Sequence, residues 1–388
     1  MKCLHVVNIS FVLPYYIGGQ FDFLRDKGVS FYVACTPSEF LNQYAEEKNF
    51  FSIPITVARE INIIKDVKSV FELVRVIRKN KIDVVIGHTP KGGLLAMTAS
   101  YLAGRKNRIY FRHGLMYETS KGMKKVLLKS IEKLTGMLAS KVVCVSPSVL
   151  EISNREALSD AGKNIILNRG TCNGIDLRRF NKTAVCHKRV EEVRRKYGIN
   201  SDKKIIGYVG RLVNDKGINE LVGGWRLLRE KYSDIILLLA GPFEDRDSLP
   251  ERTKEVLRND ESIICTGLID EVELFYSMMD FFILPSYREG FPTVVLEASA
   301  MELPVLTTRV TGCCDSIRDG ETGCFIENDP TDIANKMKYY LDNPEIAKEH
   351  GRNGRIFVEK NFQQEIIWND IASLIFNLDN HENHNNRQ

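Results

Sequence analysis

Short runs of apolar, mostly β-branched residues alternate along this chain with longer stretches in which apolar residues recur every three or four positions. In the first half, Leu4–Ile9, Ser30–Cys35, Asp83–Gly87, Arg108–Arg112, Lys141–Val145 and Asn164–Asn168 read as strands. The stretches Gly19–Lys27, Val67–Lys79, Gly92–Leu102, Gly122–Ala139 and Pro147–Ala157 between them carry helical periodicity. Strands with so little polar alternation are buried on both faces, and strand–helix alternation builds a parallel sheet covered by helices. Asp176–Ile199 is charged and holds no strand pattern, which places a junction near Phe180–Ser201. A second series follows, with strands at Lys204–Val209, Ile235–Ala240, Ser262–Cys265, Phe281–Leu284, Pro304–Thr307 and Gly323–Ile326. Its helices are expected at Ile218–Lys231, Pro250–Arg258, Val272–Met278 and Thr293–Met301, then at Pro344–Glu359 and Gln364–Phe376. The pattern predicts an α/β chain of two doubly wound, Rossmann-like domains, 1–180 and 201–360, a C-terminal helix within 361–380, and a disordered polar tail, His381–Gln388.

Composition narrows the class. With 388 residues, 44% apolar and 27% charged, the chain resembles ordinary globular proteins rather than disordered or fibrous ones. Its apolar runs fall far short of the ~18 residues that span a bilayer, and the first strand pattern carries no signal-peptide cleavage site. Nine cysteines without a C-x-x-C pair fit a reducing compartment, and no metal-ligand spacing is present. Charge is uneven: residues 1–178 carry a net +11 and the remainder −7. A basic half facing an anionic partner is one explanation of that split, and a solvated surface is the other. No basic arm, zinc finger or RNA-binding pattern points to nucleic acid.

In doubly wound sheets ligands bind at the carboxyl ends of strands, so chemistry is sought in the loops that follow them, and loops of two such domains can face one another across a cleft. The loop after the first strand reads Tyr16-Ile17-Gly18-Gly19-Gln20, and no G-x-G-x-x-G occurs anywhere, which argues against a dinucleotide-dependent dehydrogenase. Pro285–Glu297 runs from a strand end through a glycine–proline loop into a helix. Pro292 suits a first helical position. The backbone of Gly290, Phe291, Pro292 and Thr293 would form a helix start that attracts anions and hydroxyls. Glu289 before the helix and Glu297 within it are carboxylates placed to accept from adjacent sugar hydroxyls, or else a capping acid and a solvated acid. Gly207–Gly217 repeats the strand–loop–helix arrangement, with Gly210 permitting close approach and Arg211 and Lys216 supplying two cations for a diphosphate, or two solvated charges. In the first half, His113-Gly114 follows one strand and His88-Thr89-Pro90-Lys91 another, offering imidazoles, a hydroxyl and a cation.

Five motifs in order span nearly the whole chain: Gly18–Gln20, His113–Gly114, Asn173–Asp176, Gly210–Gly217 and Glu289–Glu297. In these the chain resembles retaining glycosyltransferases of family 4. The resemblance implies the GT-B architecture, two Rossmann-like domains facing across a cleft, with the C-terminal helix packing back towards the first. It implies that Glu297 holds the donor ribose, that Glu289 and the Gly290–Thr293 backbone grip the transferred sugar, and that Arg211 and Lys216 stabilise the departing diphosphate. It places His113 near the donor sugar and its phosphate, and Gly18 and Gly19 near the reaction centre. No cofactor and no metal are implied, since the nucleotide-sugar is itself a substrate.

Ala58–Ile61, Asp66–Val67, His88–Leu95 and Arg169–Gly174 are similar to a bacterial branch that builds capsule, O-antigen and glycoprotein glycans on undecaprenyl diphosphate, often from UDP-sugars such as UDP-N-acetylhexosamines. That makes His88, Thr89, Lys91 and Asn173 the acceptor-side candidates and a lipid-linked saccharide the expected acceptor. Gly87 and Arg112 depart from the branch's pattern. A nucleotide-sugar 2-epimerase and a catalytically silent sugar-binding subunit share the architecture; the second is expected to lose Glu289, Arg211 or Lys216, and all three are present.

Within Gly122–Ala139, Met123, Leu127, Ile131, Leu134 and Leu138 form an apolar stripe beside Lys121, Lys124, Lys125, Lys129 and Lys133. Such a helix either packs its stripe on the sheet or lies on an anionic membrane surface. The second reading places the protein in the cytoplasm, peripheral on the inner face of the bacterial membrane.

Overall fold

The structure is a computed structural model that describes residues 1–57 and 62–385, with side chains through 377. Ala58–Ile61, part of the branch resemblance, lies outside the described residues. The chain divides into two compact units: Met1–Gly174 with the segment from Gln364 onward, and Ile175–Gln363.

The first unit holds a seven-stranded parallel sheet of β1 (Lys2–Val6), β2 (Ser30–Cys35), β3 (Phe51–Pro54), β4 (Val84–His88), β5 (Asn107–Arg112), β6 (Lys141–Cys144) and β7 (Asn164–Ile165). Their order is β3-β2-β1-β4-β5-β6-β7. The second unit holds six parallel strands, β8 (Lys204–Val209), β9 (Ile235–Ala240), β10 (Ile263–Gly267), β11 (Phe281–Leu284), β12 (Val305–Thr308) and β13 (Gly323–Ile326), ordered β10-β9-β8-β11-β12-β13. The central strands are held by burial on both faces: every residue of β9 and of β11 is buried. In each sheet the winding direction reverses once, between β1 and β4 and between β8 and β11. At such a switch point the loops leaving the two strands diverge and open a crevice at the carboxyl edge.

Several elements differ from expectation. The first strand ends at Val6 rather than Ile9, and a turn of helix at Leu13–Tyr16 precedes the expected helix, which runs Gln20–Arg25. Helices at Glu39–Lys48, His187–Tyr197 and Pro330–Asp342, and strand β3, were not anticipated. Their signals are local: Ser38 Oγ accepts from the Leu41 amide, and Asp329 caps the third helix ahead of Pro330. The units divide at Gly174/Ile175, not within 180–201, because Phe180, Val190 and Ile199 pack into the second unit's core. The last helix runs Gln364–Asn385, so residues 381–385 of the expected tail are helical. Trp368 ties that helix to the first unit, its Nε1 donating to Asn173 Oδ1 at 2.9 Å.

Of the two arrangements open to the apolar stripe of Gly122–Leu138, packing on the sheet is not the one adopted. This helix buries Glu132, Thr135 and Gly136 and exposes Met123, Val126, Leu127, Leu134 and Met137, Met123 being 90% exposed. Arg112 explains the rotation. Its guanidinium is fully buried, and its Nε lies 3.0 Å from Glu132 Oε2, so the helix must turn that carboxylate inward. A Cβ on Gly136 would lie 2.4 Å from the Leu158 carbonyl oxygen, so only a bare backbone fits there.

Candidate active-site residues in the two units

In the second unit, the loops after β8 and β11 leave the sheet at the switch point and are stitched together. Asp215 accepts from the Tyr287 amide through its carbonyl at 2.9 Å, and its carboxylate pairs with Arg288 at 2.5 Å. The Asp215 amide in turn donates to Asp247 Oδ2 at 2.6 Å. Gly217 turns the chain at φ +70°, where a Cβ would lie 1.9 Å from the Pro285 carbonyl oxygen. This close approach sets Lys216 beside Glu289, and the two side chains form a largely buried ion pair. Asp215 lies inside the Gly210–Gly217 motif and Arg288 inside Pro285–Glu297 without having been singled out, and Asp247 lies outside every motif.

Arg211 stands on the same loop, 47% exposed, with Nη1 2.6 Å from Glu244 Oε2. Tyr208 Oη donates to the Arg211 carbonyl at 2.8 Å and fixes the backbone next to Gly210. The helices that begin at Ile218 and Thr293 both lack a capping side chain at their N-termini. Neither N-cap residue accepts from the first-turn N–H groups through its side chain, and each start offers partial positive charge. Phe291 and Pro292 lead directly into the second of these starts.

Glu297, within that helix, lies 3.0 Å from Tyr276 Oη through its Oε2. Burial pushes its carboxyl up to about 7, against the stabilising effect of that hydroxyl. The second unit thus gathers Gly210, Arg211, Lys216, Glu289, Gly290–Thr293 and Glu297 at the carboxyl edge of its sheet. Two cations, two uncapped helix starts and two carboxylates there can hold a diphosphate and neighbouring hydroxyls.

In the first unit the candidates fall into two groups. His88 ends β4 and His113 follows β5, and His88 Nδ1 lies 3.0 Å from His113 Nε2. A third histidine, His5 on β1, continues the row, its Nδ1 3.0 Å from His88 Nε2. Tyr16 stacks on His113 with ring centroids 3.9 Å apart. Burial drives the His5 and His113 imidazoles down to about 3 and His88 well below its ordinary value, so all three are neutral at physiological pH. The sequence reading missed His5; the signal was a polar residue among the otherwise apolar, buried positions that follow Lys2 in the strand Lys2–Val6. Thr89 has φ +64°, a strained conformation for a β-branched residue, and its Oγ1 accepts from the Gly92 amide. Lys91 is not an open cation: it pairs with Asp66, and both are largely buried.

Asn173, Gly18 and Gly19 form the other group. Gln20 Nε2 donates to Asn173 Oδ1 at 3.0 Å, and Trp368 Nε1 donates to the same oxygen. A Cβ on Gly19 would lie 2.5 Å from the Trp368 ring. Asn173 is therefore committed to packing the last helix rather than open to a ligand. Among the described residues, no cluster of three His, Cys, Asp or Glu side chains could hold a metal ion.

Comparisons with known proteins agree with this layout. Residues 21–170 match the family described as Glycosyltransferase Family 4, and residues 189–357 match Glycosyl transferases group 1. The chain is 33% identical over 374 residues to the capsular polysaccharide biosynthesis glycosyltransferase CapM of Staphylococcus aureus, covering 96% of each. It is 25% identical over 328 residues to the UDP-Gal:alpha-D-GlcNAc-diphosphoundecaprenol alpha-1,3-galactosyltransferase of Escherichia coli, covering 83% of each. Among solved structures, Anabaena HepE in complex with UDP and glucose superimposes with a TM-score of 0.79 at 17% identity, over 97% of this chain and 100% of that one, a likeness of fold. The doubly wound α/β units are those of the GT-B fold, and the chain belongs to the glycosyltransferases whose first half is of family 4 and whose second half is of group 1.

Proposed function

We propose that this glycosyltransferase is a retaining, metal-independent enzyme that moves a sugar from a UDP-sugar, UDP-N-acetylhexosamine being a prime candidate, to a lipid-diphosphate-linked saccharide in surface polysaccharide synthesis. The names of the Staphylococcus and Escherichia relatives support the polymer and the carrier. The observation that carries the reading is the Lys216–Glu289 pair at the switch point between β8 and β11, with Arg211 on the same loop. Breaking a glycosyl–phosphate bond places negative charge on the leaving diphosphate and positive character on the sugar. Arg211, Lys216 and the two uncapped helix starts supply fixed positive potential where the first of these develops. Glu289, tied to Lys216, orients the sugar hydroxyls, and Glu297 takes the ribose. Neither is the nucleophile: the acceptor hydroxyl attacks from the face the phosphate leaves, and that phosphate takes its proton. From the first unit, His113 serves the donor sugar and its phosphate and Thr89 lies on the acceptor side, whereas His88, buried with both ring nitrogens engaged by His5 and His113, is closed to the acceptor.

The reading also places the protein at the inner face of the bacterial membrane. No helix among the described residues is long and apolar enough to cross a membrane. The exposed apolar face of Gly122–Leu138, beside exposed Lys121, Lys124 and Lys125, instead suits a bilayer surface, where a lipid-linked acceptor resides. The test is a panel of nucleotide-sugars assayed for nucleoside diphosphate release with and without an undecaprenyl-diphosphate saccharide. One UDP-sugar should give acceptor-dependent release, an α-linked product from an α-linked donor, and ~100-fold slower turnover with Arg211→Ala. Product of inverted configuration, or full activity of Arg211→Ala, would overturn the mechanism.

A further inference from the structure

The row His5–His88–His113 goes beyond the roles assigned so far, which use His113 alone and leave two buried imidazoles without a task. The three rings stand on adjacent strands β1, β4 and β5, or just after the last, joined by two N···N contacts of 3.0 Å. A neutral imidazole has one donor nitrogen and one acceptor nitrogen. Two such contacts in series therefore admit only two arrangements of the protons, each running one way through all three rings.

The buried end of the row decides between them. His5 is 3% exposed, its ring lies among Phe21 and Phe31, and its Nε2 is buried without a hydrogen-bond partner among the described residues. In one arrangement that atom is a bare acceptor; in the other it is an N–H with nothing to receive it. A buried N–H without an acceptor is the rarer defect. His5 then donates from Nδ1 to His88 Nε2, and His88 donates from Nδ1 to His113 Nε2. His113, receiving at Nε2, carries its own proton on Nδ1. Its ring is partly exposed and held in plane by Tyr16 at an interplanar angle of 11°.

We propose that His88, polarised by His5, is a positioning residue that fixes His113 in the Nδ1–H tautomer, so that His113 presents a neutral, oriented hydrogen-bond donor to an oxygen of the glycosyl donor. The last clause rests on the function proposed above; the tautomer does not. A free imidazole in water favours the opposite, Nε2–H form, so without His88 the His113 proton is expected to redistribute. The row thus holds a donor in place that a solvated histidine would offer only part of the time.

The test is the imidazole ¹⁵N spectrum of the whole protein labelled at its seven histidines, with His113 assigned by its loss in His113→Gln. The wild type should show His113 protonated at Nδ1 alone. In His88→Leu the His113 signals should move towards a mixture of tautomers and turnover should fall about tenfold. In His88→Asn, whose amide can still donate to Nε2, both should recover. A wild-type His113 protonated at Nε2, or a His113 spectrum indifferent to His88→Leu, overturns the proposal; the wild-type spectrum suffices should the leucine variant fail to fold. A tautomer that shifts while turnover stays unchanged overturns instead the placing of His113 against the glycosyl donor.

Discussion

Lys216 and Glu289, 73 residues apart in the chain, meet as an ion pair because Gly217 lets the loop after β8 lie against the carbonyl of Pro285, just past β11. Neither side chain acts alone. Removing either leaves the other largely buried without its partner, so the two losses overlap instead of adding. Lys216→Ala and Glu289→Ala should each slow turnover ~100-fold, and the double variant should be little slower than either. Single-turnover rates of all three decide it; strictly multiplicative losses would show that the pair does not work as a unit.

Glu297 should make nucleotide binding pH-dependent. Its carboxyl is raised from 4.5 to about 7 by burial, so between those values the folded protein holds a proton that the unfolded chain has released. The stability from that proton is present at low pH and is lost as pH rises towards 7. The ionised form is the one that accepts from ribose hydroxyls. Affinity for UDP should therefore climb several-fold as pH rises through about 7, whereas thermal stability falls between about 4.5 and 7 and then levels off. Glu297→Gln should bind weakly at every pH and lose this pH dependence. Titration calorimetry and melting curves across that range test both halves.

Gly19 and Trp368 make a packing prediction. The Trp368 indole lies where a Cβ on Gly19 would stand, and its Nε1 donates to Asn173. Trp368→Ala should cost about 3 kcal/mol, typical of deleting a buried aromatic, and Gly19→Ala should displace the ring at a cost of about 1–3 kcal/mol. Urea unfolding of the two single variants and the double variant checks this. The double variant should be less destabilised than the sum, since the alanine then has room.

The exposed face of Gly122–Leu138 bears on the membrane. Lys129 pairs with Glu156 at 2.9 Å and so serves the fold, whereas Lys121, Lys124 and Lys125 are exposed beside Met123, Val126 and Leu127. Each of those lysines near an anionic surface contributes about 1 kcal/mol, screened by salt. Binding to anionic vesicles should fall about 100-fold when the three become glutamine, and further when Met123 and Leu127 become serine. Activity on a short soluble acceptor should persist. Flotation at low and high salt measures it; unaltered binding by the five-fold variant would exclude this helix.

Much of the fold was legible because its information is local. Buried parallel strands such as Ile235–Ala240 announce themselves by unbroken apolar runs, and the order strand–loop–helix is enough to put Arg211, Lys216, Glu289 and Glu297 in or just beyond the loops that follow strands. The helices at Glu39–Lys48 and Pro330–Asp342 carried equally local signals, with capping residues at Ser38 and Asp329 and, in the second, a buried stripe of Ile333, Met337 and Tyr340.

What tertiary structure decided are relationships between distant residues. Sequence showed a stripe and a lysine face on Gly122–Leu138; only the buried Arg112, reaching for Glu132, determined which side turned inward. Sequence offered Lys91 and Asn173 as open polar groups; Asp66 claims the first, and Gln20 with Trp368 claims the second. His5 looked like one more residue of a strand until the parallel pairing of β1 with β4 set it against His88. The physical reason is common to all three. Residue type and spacing set what a side chain can do, whereas burial and the partner it meets set what it does, and both depend on chain segments far away in sequence.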